Sequence, residues 1–242
     1  MELKVSSNRL LSKYESMWQR SIFARGFAVI EQVFARDEMS AVQEELANAR
    51  LRRSRAGARH ILRNETVAKL ASDSRLMTIA RHVLGSEAHP FRATLFDKSP
   101  TSNWLVVWHQ DTALPLRERR ELPGWGPWSV KEGVVYAHAP AAALEQVLAL
   151  RVHLDDSTDN NGPLRVLPGT HTMGVLTDDA VGRLATEINA VDCLVTAGGV
   201  VAMQPLIVHA SSKSLIEMPR RVLHIEYAKR MAIADSLELA TA

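Results

Sequence analysis

The stretch Trp108-His109-Gln110-Asp111 sets an imidazole and a carboxylate two residues apart. On an extended backbone, residues two apart point to the same face, so His109 and Asp111 can reach one metal ion together. Alone the pair is weak, because a hydrogen-bonded surface pair has the same spacing. A second imidazole, His209, closes the apolar run Pro205-Leu206-Ile207-Val208. Its plain alternative is a buried histidine bonded to a backbone group. Two imidazoles and one carboxylate on one face of a metal define the facial triad of non-haem Fe(II) oxygenases, which leaves the opposite face open for a co-substrate and O2.

A third piece is Pro219-Arg220-Arg221-Val222-Leu223-His224-Ile225-Glu226-Tyr227. An arginine entering a strand in an apolar core is costly unless it is paired. The guanidinium fork donates two parallel hydrogen bonds to a carboxylate, which can belong to a protein side chain or to a small diacid. Alternation puts Arg220, Val222 and His224 on one face and Arg221, Leu223 and Ile225 on the other. Only one of the two arginines then points inward. The alternative is two solvent-facing arginines at a strand start.

These residues need elements to position them. The first third of the chain reads helical, with helices expected over Asp37–Ala49, Asn64–Leu70 and Ser74–Leu84. In the first of these, Met39, Val42 and Leu46 recur at helical spacing and Asp37 is a candidate N-cap; Gly85 ends the last. Gly26–Ile30 reads as a strand. From Phe91 onward the apolar runs are short and punctuated by Gly, Pro and Asn. Strands are expected over Phe91–Phe96, Trp104–His109, Gly133–Ala137, Val147–Leu154, Leu164–Leu167, Val191–Thr196, Val200–Met203, Leu206–His209 and Val222–Tyr227. Trp125–Ser129 and Asp155–Pro163 read as loops. Short strands at this spacing point to a sandwich, jelly roll or barrel. The expected fold is one α+β domain over residues 1–242, helical to about residue 88 with a β core from about 89 to about 230.

Composition narrows the function. The chain has 242 residues, 46% hydrophobic and 23% charged, which is ordinary for a globular protein able to bury a sizeable core. Its formal charge of +2 lacks the basic excess of a general nucleic-acid binder. The local patch Arg50-Leu51-Arg52-Arg53-Ser54-Arg55 reads as a solvated face or as partners for nearby acids. A single cysteine, Cys193, rules out an intramolecular disulfide framework and argues against a thiolate zinc site. No apolar run reaches the roughly 18 residues of a membrane span, and the first residues lack a signal-peptide layout. The expectation is a cytoplasmic protein with neither a membrane nor a nucleic-acid partner.

Taken together, the motifs resemble the phytanoyl-CoA dioxygenase family of iron(II)- and 2-oxoglutarate-dependent oxygenases. The resemblance runs from about Gly26 to about Arg230. It rests on Phe96-Asp97-Lys98, Asn103-Trp104, Trp108-His109-Gln110-Asp111, Asn161-Gly162-Pro163-Leu164-Arg165-Val166-Leu167-Pro168-Gly169-Thr170-His171, His209-Ala210-Ser211 and Arg220-Arg221, in that order. It implies a double-stranded β-helix, a jelly-roll, cupin-like barrel, with N-terminal helices packed outside. It implies that His109, Asp111 and His209 hold Fe(II). It further implies that Arg220 grips the distal carboxylate of 2-oxoglutarate and that Ser211 and Lys98 help, with Asn103 a weaker candidate. Lys98 and Asn103 rest on the resemblance alone. For Ser211, the spacing from His209 agrees independently. Because Asp111 keeps the carboxylate position filled, the implied reaction is hydroxylation or another oxidation of a C–H bond with O2, releasing succinate and CO2, and not halogenation.

The resemblance leaves the substrate open beyond a small molecule, and the oligomer as monomer or homodimer. Four tryptophans cluster near the metal motif. Alternation assigns Trp104 and Trp108 to the core, and leaves Trp125 and Trp128 as candidates for a pocket wall. The turns Asn160–Pro163 and Pro168–Thr170 read as scaffold. His171, after the second turn, could face the site. The rival enzyme reading is a cupin-like metal-dependent isomerase or hydrolase with the same triad, which has no need of a diacid clamp at Arg220 and Ser211.

Overall fold

The computed structural model describes residues 17–54, 57–99, 102–234 and 237–242. In chain order the elements begin with helix α1 over 17–25, strand β1 (Phe27–Ile30), helix α2 (Arg36–Asn48) and the short strands β2 (Arg53–Ser54) and β3 (Gly57–Ala58). Helices α3 (Glu65–Ala71) and α4 (Ser74–Leu84) come next. Strands β4 (His89–Lys98), β5 (Val106–His109), β6 (Ala113–Leu116), β7 (Trp128–Lys131) and β8 (Val134–His138) then lead to helix α5 (Ala141–Leu144). Strands β9 (Val147–His153) and β10 (Leu164–Val166) precede a 3-10 turn at Thr170–Met173 and helix α6 (Asp178–Glu187). The chain ends with β11 (Val191–Cys193), β12 (Val200–Met203), β13 (His209–Ser211), β14 (Arg220–Ala228), β15 (Ala232–Ala234) and β16 (Leu237–Glu238).

Local chemistry fixes the N-terminal helices. Asn64 caps α3 by accepting from the Val67 amide at 3.2 Å, and Asp73 caps α4 by accepting from the Arg75 amide at 2.8 Å. Helix α2 starts one residue before the expected cap. Its N-cap is Ala35, and Glu38 reaches back to accept from the Ala35 amide at 2.7 Å, while Asp37 lies in the first turn. There Asp37 and Glu38 both favour the positive end of the helix dipole.

Two antiparallel sheets form the barrel. The larger has the order β1-β12-β9-β14-β4-β3-β2 and the smaller β11-β10-β13-β5. One face of the large sheet carries Leu95, Leu150, Val152, Leu223, Ile225 and Tyr227, packed against apolar residues of α1 to α4. Burying these side chains stabilises the helix layer by about 1.5–3 kcal/mol each. The other face looks into the barrel, where Phe27, Val166, Val201, Met203 and Ile207 form a second core. A separate three-stranded sheet has the order β6-β8-β7. This is the expected double-stranded β-helix with helices outside.

Several local expectations differ from the structure. The segment Leu206–Val208 is a turn, and strand β13 starts at His209. Trp128 and Ser129 belong to β7, which pairs with β8 around Glu132-Gly133, both at positive φ as a tight two-residue hairpin requires. Helix α6, which the strand reading passed over, packs Val181 against Leu167 and Val208 outside the small sheet. Within the arginine-rich patch, Arg53 pairs with Asp97 at 2.6 Å, and Arg55 lies outside the described residues. Among the described residues, no helix is long and apolar enough to cross a membrane.

Candidate metal centre and co-substrate cavity

Strand pairing brings the first three residues together. His209 on β13 lies opposite His109 on β5 in the antiparallel register. Their ring centroids are 4.2 Å apart. Asp111 follows β5, anchored where its amide donates to Pro205 O at 3.0 Å. Its carboxylate oxygens sit 3.6 Å from His109 Nε2 and 3.5 Å from His209 Nε2. One donor atom from each residue falls within 4.8 Å of the others, a spacing a single metal ion can bridge.

The imidazoles are oriented for that task. His109 Nδ1 lies 2.8 Å from Val107 O, and His209 Nδ1 lies 2.9 Å from Ile207 O. A carbonyl only accepts, so each Nδ1 carries the proton and each Nε2 presents its lone pair to the centre. Burial pushes the His209 pKa down to about 4 against the pull of Asp111, so that ring is neutral at pH 7. For His109 burial also lowers the pKa, but the adjacent Asp111 carboxylate outweighs it and the net shift is upward. Asp111 is held well below the usual carboxylate range: burial opposes ionisation, and the neighbouring His209 and His109 overcome it. Neutral imidazole and ionised carboxylate are the states a divalent cation needs.

Gln110, between the ligand candidates, points away and ties the surroundings together. Its Nε2 donates to Gly174 O at 2.9 Å and to Leu206 O at 2.7 Å, and its Oε1 accepts from the Leu176 amide at 2.8 Å. The turn before His209 is thereby fixed against the strand end that carries His109.

A cavity of about 240 Å³ opens from His109, Asp111 and His209 toward Ser211, Arg151 and Arg220. Arg220 is 3% exposed, while Arg221 on the opposite face pairs with Asp155 at 2.8 Å. Alternation thus selects one inward arginine. Arg220 Nη2 donates to Ser211 Oγ at 3.2 Å and Nε to Asn161 O at 3.3 Å, but Nη1 is buried without a partner. Burial and the nearby Arg151 lower its pKa to about 9. Lys98 is buried behind Ser211, donating to Ser211 Oγ at 2.9 Å and to the Ser212 carbonyl. Burial, then Arg220 and Arg151, bring its pKa down to about 7. Asn103 does not line the cavity. Its amide clamps Ser214, donating to the carbonyl at 2.9 Å and accepting from the amide at 2.7 Å.

Sequence reasoning missed Arg151. It comes from β9, lines the same cavity, and donates from Nη1 to His224 Nδ1 at 3.1 Å, leaving Nε buried and unpartnered. The signal was there: Arg151 and His153 alternate on one face of an otherwise apolar strand. Trp104 corrects the alternation argument. It precedes the first residue of β5, so strand alternation does not govern it, and it lines the cavity with Lys98 Nζ 5.3 Å from its ring centroid. Trp108 does pack in the small core beside α6. Trp125 and Trp128 pack against Leu114, Leu116 and Ala137 and line neither cavity next to Asp111. His171 packs on Gly26 with Nε2 3.2 Å from Phe23 O, away from the centre.

Buried guanidinium nitrogens with no protein partner fit a carboxylated ligand, and three convergent N/O donors fit a divalent metal. Comparison with known proteins agrees. The phytanoyl-CoA dioxygenase family model matches residues 23–222. The ectoine dioxygenase of Sphingopyxis alaskensis is 23% identical over 259 residues, covering 91% of this chain and 77% of that enzyme. The L-proline trans-4-hydroxylase of Streptomyces griseoviridis is 27% identical, covering 68% of this chain and 63% of that enzyme. The chain spans about half the length of other ectoine dioxygenases, 47% for that of Stutzerimonas stutzeri. Among solved structures, EctD from S. alaskensis with 2-oxoglutarate and 5-hydroxyectoine superposes with a TM-score of 0.67 at 21% identity, covering 88% of this chain and 75% of that one. HygX from Streptomyces hygroscopicus, with nickel and 2-oxoglutarate bound, gives 0.63 at 19% identity, covering 88% and 86%. These likenesses share the barrel, and the family match spans most of the chain: it belongs to the phytanoyl-CoA dioxygenase family.

Proposed function

We propose that His109, Asp111 and His209 hold iron(II) in the 2-oxoglutarate-dependent dioxygenase that this chain is, and that Arg220, with Ser211, grips the far carboxylate of the co-substrate. The observation that carries the assignment is the buried, unpartnered Nη1 of Arg220 in the same cavity as the three converging donor atoms. A guanidinium buried at that depth needs an anion, and none of the cavity's own side chains supplies one to it. Iron with 2-oxoglutarate and O2 supplies the oxidising power for attack on a C–H bond, with succinate and CO2 as co-products.

The chain's own residues do the rest. The Nδ1 bonds of His109 and His209 aim their Nε2 atoms. Arg220 Nη1 and Arg151 Nε offer donors to a dianion, and Ser211 holds Arg220 in place. Lys98 adds charge behind Ser211. Phe96 and Leu164 line the cavity with apolar surface and exclude water from the reacting end. No side chain needs to act as general base. A cupin-like isomerase or hydrolase leaves the buried guanidinium unexplained.

The test is a comparison of wild type with Asp111→Ala after reconstitution with iron(II). The wild type should bind about one iron per chain and release succinate from 2-oxoglutarate in air. Asp111→Ala should lose both while keeping its melting temperature. An Asp111→Ala protein that still binds iron and makes succinate overturns the assignment.

A further inference from the structure

A second cavity of about 240 Å³ lies on the other side of Asp111, between β4, β14 and the β6-β8-β7 sheet. It shares Asp111, Phe96 and Arg59 with the co-substrate cavity. A substrate sitting there would be next to the metal candidates without occupying the Arg220 end.

Most polar groups around this second cavity already have partners. Arg92 and Glu226 form a buried pair, with Arg92 Nη2 2.5 Å from Glu226 Oε1, and Arg92 Nη1 donates to Ala113 O at 3.1 Å. Tyr136 Oη is bonded to His60 Nε2 at 2.7 Å. Thr112 Oγ1 is bonded to His138 Nδ1 at 2.7 Å. Arg59 and Lys131 are different. They reach the cavity from separate elements, Arg59 from the segment after β3 and Lys131 from the end of β7. Among the described residues neither has a carboxylate within ion-pair distance. Lys131 Nζ rests 4.9 Å from the Tyr136 ring centroid, over the cavity wall. Asp111 and Glu226 are the acids of the wall, and the proposed iron and Arg92 take their charge. The cavity therefore keeps two cations in excess.

We infer that the substrate carries a carboxylate, and that Arg59 and Lys131 bind it at the mouth of this cavity and so direct a nearby C–H bond toward the metal side of Asp111. Arg59 and Lys131 are both exposed and line the same cavity without a carboxylate partner, so an anion entering there gains from both cations and a neutral substrate gains from neither. Partial burial lowers the Lys131 pKa, with Arg59 and Arg92 adding to the shift and Asp111 opposing it. This inference rests on the proposed iron and 2-oxoglutarate reading.

The experiment uses the full chain loaded anaerobically with iron(II) and 2-oxoglutarate. The probes are the twenty common L-amino acids and their primary amides, with straight-chain monocarboxylic acids and their amides alongside. The readout is the shift of the visible charge-transfer band when a compound enters beside the metal. Acids should shift the band with apparent affinity about tenfold better than their amides, the effect of one charge-assisted contact. Lys131→Gln should erase most of that preference, and Lys131→Arg should restore it. The band itself should still form in both variants, because Lys131 does not line the co-substrate cavity. Amides that bind as well as acids, an acid preference untouched in Lys131→Gln, or no acid that shifts the band at millimolar concentration overturns the inference. Failure of the band to form in the wild type instead overturns the iron and 2-oxoglutarate reading beneath it.

Discussion

His109 and His209 face each other across β5 and β13, a hundred residues apart in sequence yet paired in register with ring centroids 4.2 Å apart. That pairing gives the proposed metal ligands a fixed spacing, because the sheet sets both backbones independently of any metal. Pre-organised ligands lose little entropy on binding, and their Nδ1 bonds have already selected the tautomer.

Gln110 bears on this pairing without touching it. Its three hydrogen bonds hold the Leu206 turn and the Gly174–Leu176 segment. Gln110→Ala should lower iron(II) affinity by about tenfold, the usual scale for a residue that supports metal ligands from behind. Metal titration checks this, with Gln110→Glu as a variant that keeps the acceptor but removes the donors. Unchanged affinity in both variants would show that the turn holds itself.

The pH dependence should come from Lys98. Its folded pKa of about 7 lies below the ordinary lysine value because burial, Arg220 and Arg151 disfavour the ammonium. Between about pH 7 and the ordinary lysine value the unfolded chain binds more protons at this group than the free folded protein, so its contribution makes stability rise with pH there. A dianion in the cavity reverses the preference and restores the ammonium. Binding of 2-oxoglutarate at about pH 8 should therefore take up a proton, and affinity should weaken as pH rises through that range. Calorimetry in buffers of different ionisation enthalpy measures the uptake. Wild type should show it and Lys98→Met should not; equal uptake by both contradicts the role.

Gly162 packs closely against Ser212 and Lys98, beside the proposed co-substrate residues. Its φ is +69°, and a Cβ there would lie 2.3 Å from Ser212 O and 3.0 Å from Lys98 Nζ. Its own carbonyl accepts from Ser211 Oγ at 2.9 Å. Gly162→Ala should cost about 1–2 kcal/mol for the left-handed backbone alone, with more from the displaced Ser212 carbonyl. Thermal unfolding should show the loss, and 2-oxoglutarate affinity should fall with it as Ser211 shifts. A variant with wild-type melting temperature and affinity would mean the loop adapts freely.

Much of this site was legible in the residues. The inward phase of Arg220 follows from strand alternation on β14. His109, Asp111, His209 and Ser211 do line one cavity, although Asp111 lies just past the end of β5 and the register shifts between His209 and Ser211. Alternation failed where the strand stops. Trp104 lies before β5 begins, so its side chain turns to the cavity, and the run Leu206–Val208, apolar enough to read as a strand, is a turn because Gln110 takes up the Leu206 carbonyl. Arg151 was readable from the same pattern on β9, but a lone arginine in an apolar run is ambiguous until the partner strand shows His224 beside it. The pairing of Arg92 with Glu226 was not readable at all, since it depends on the register of β4 against β14.

The most direct test of the central claim is an anaerobic titration of apo-protein with iron(II) and then 2-oxoglutarate, run on wild type and Arg220→Ala and followed by the visible charge-transfer band of chelated 2-oxoglutarate. The account predicts a band that saturates in the wild type and a half-saturation concentration raised at least about tenfold in the variant, as loss of a buried charge-pair partner demands. A wild type that binds iron but gives no band, or an Arg220→Ala variant that saturates at the wild-type concentration, contradicts it.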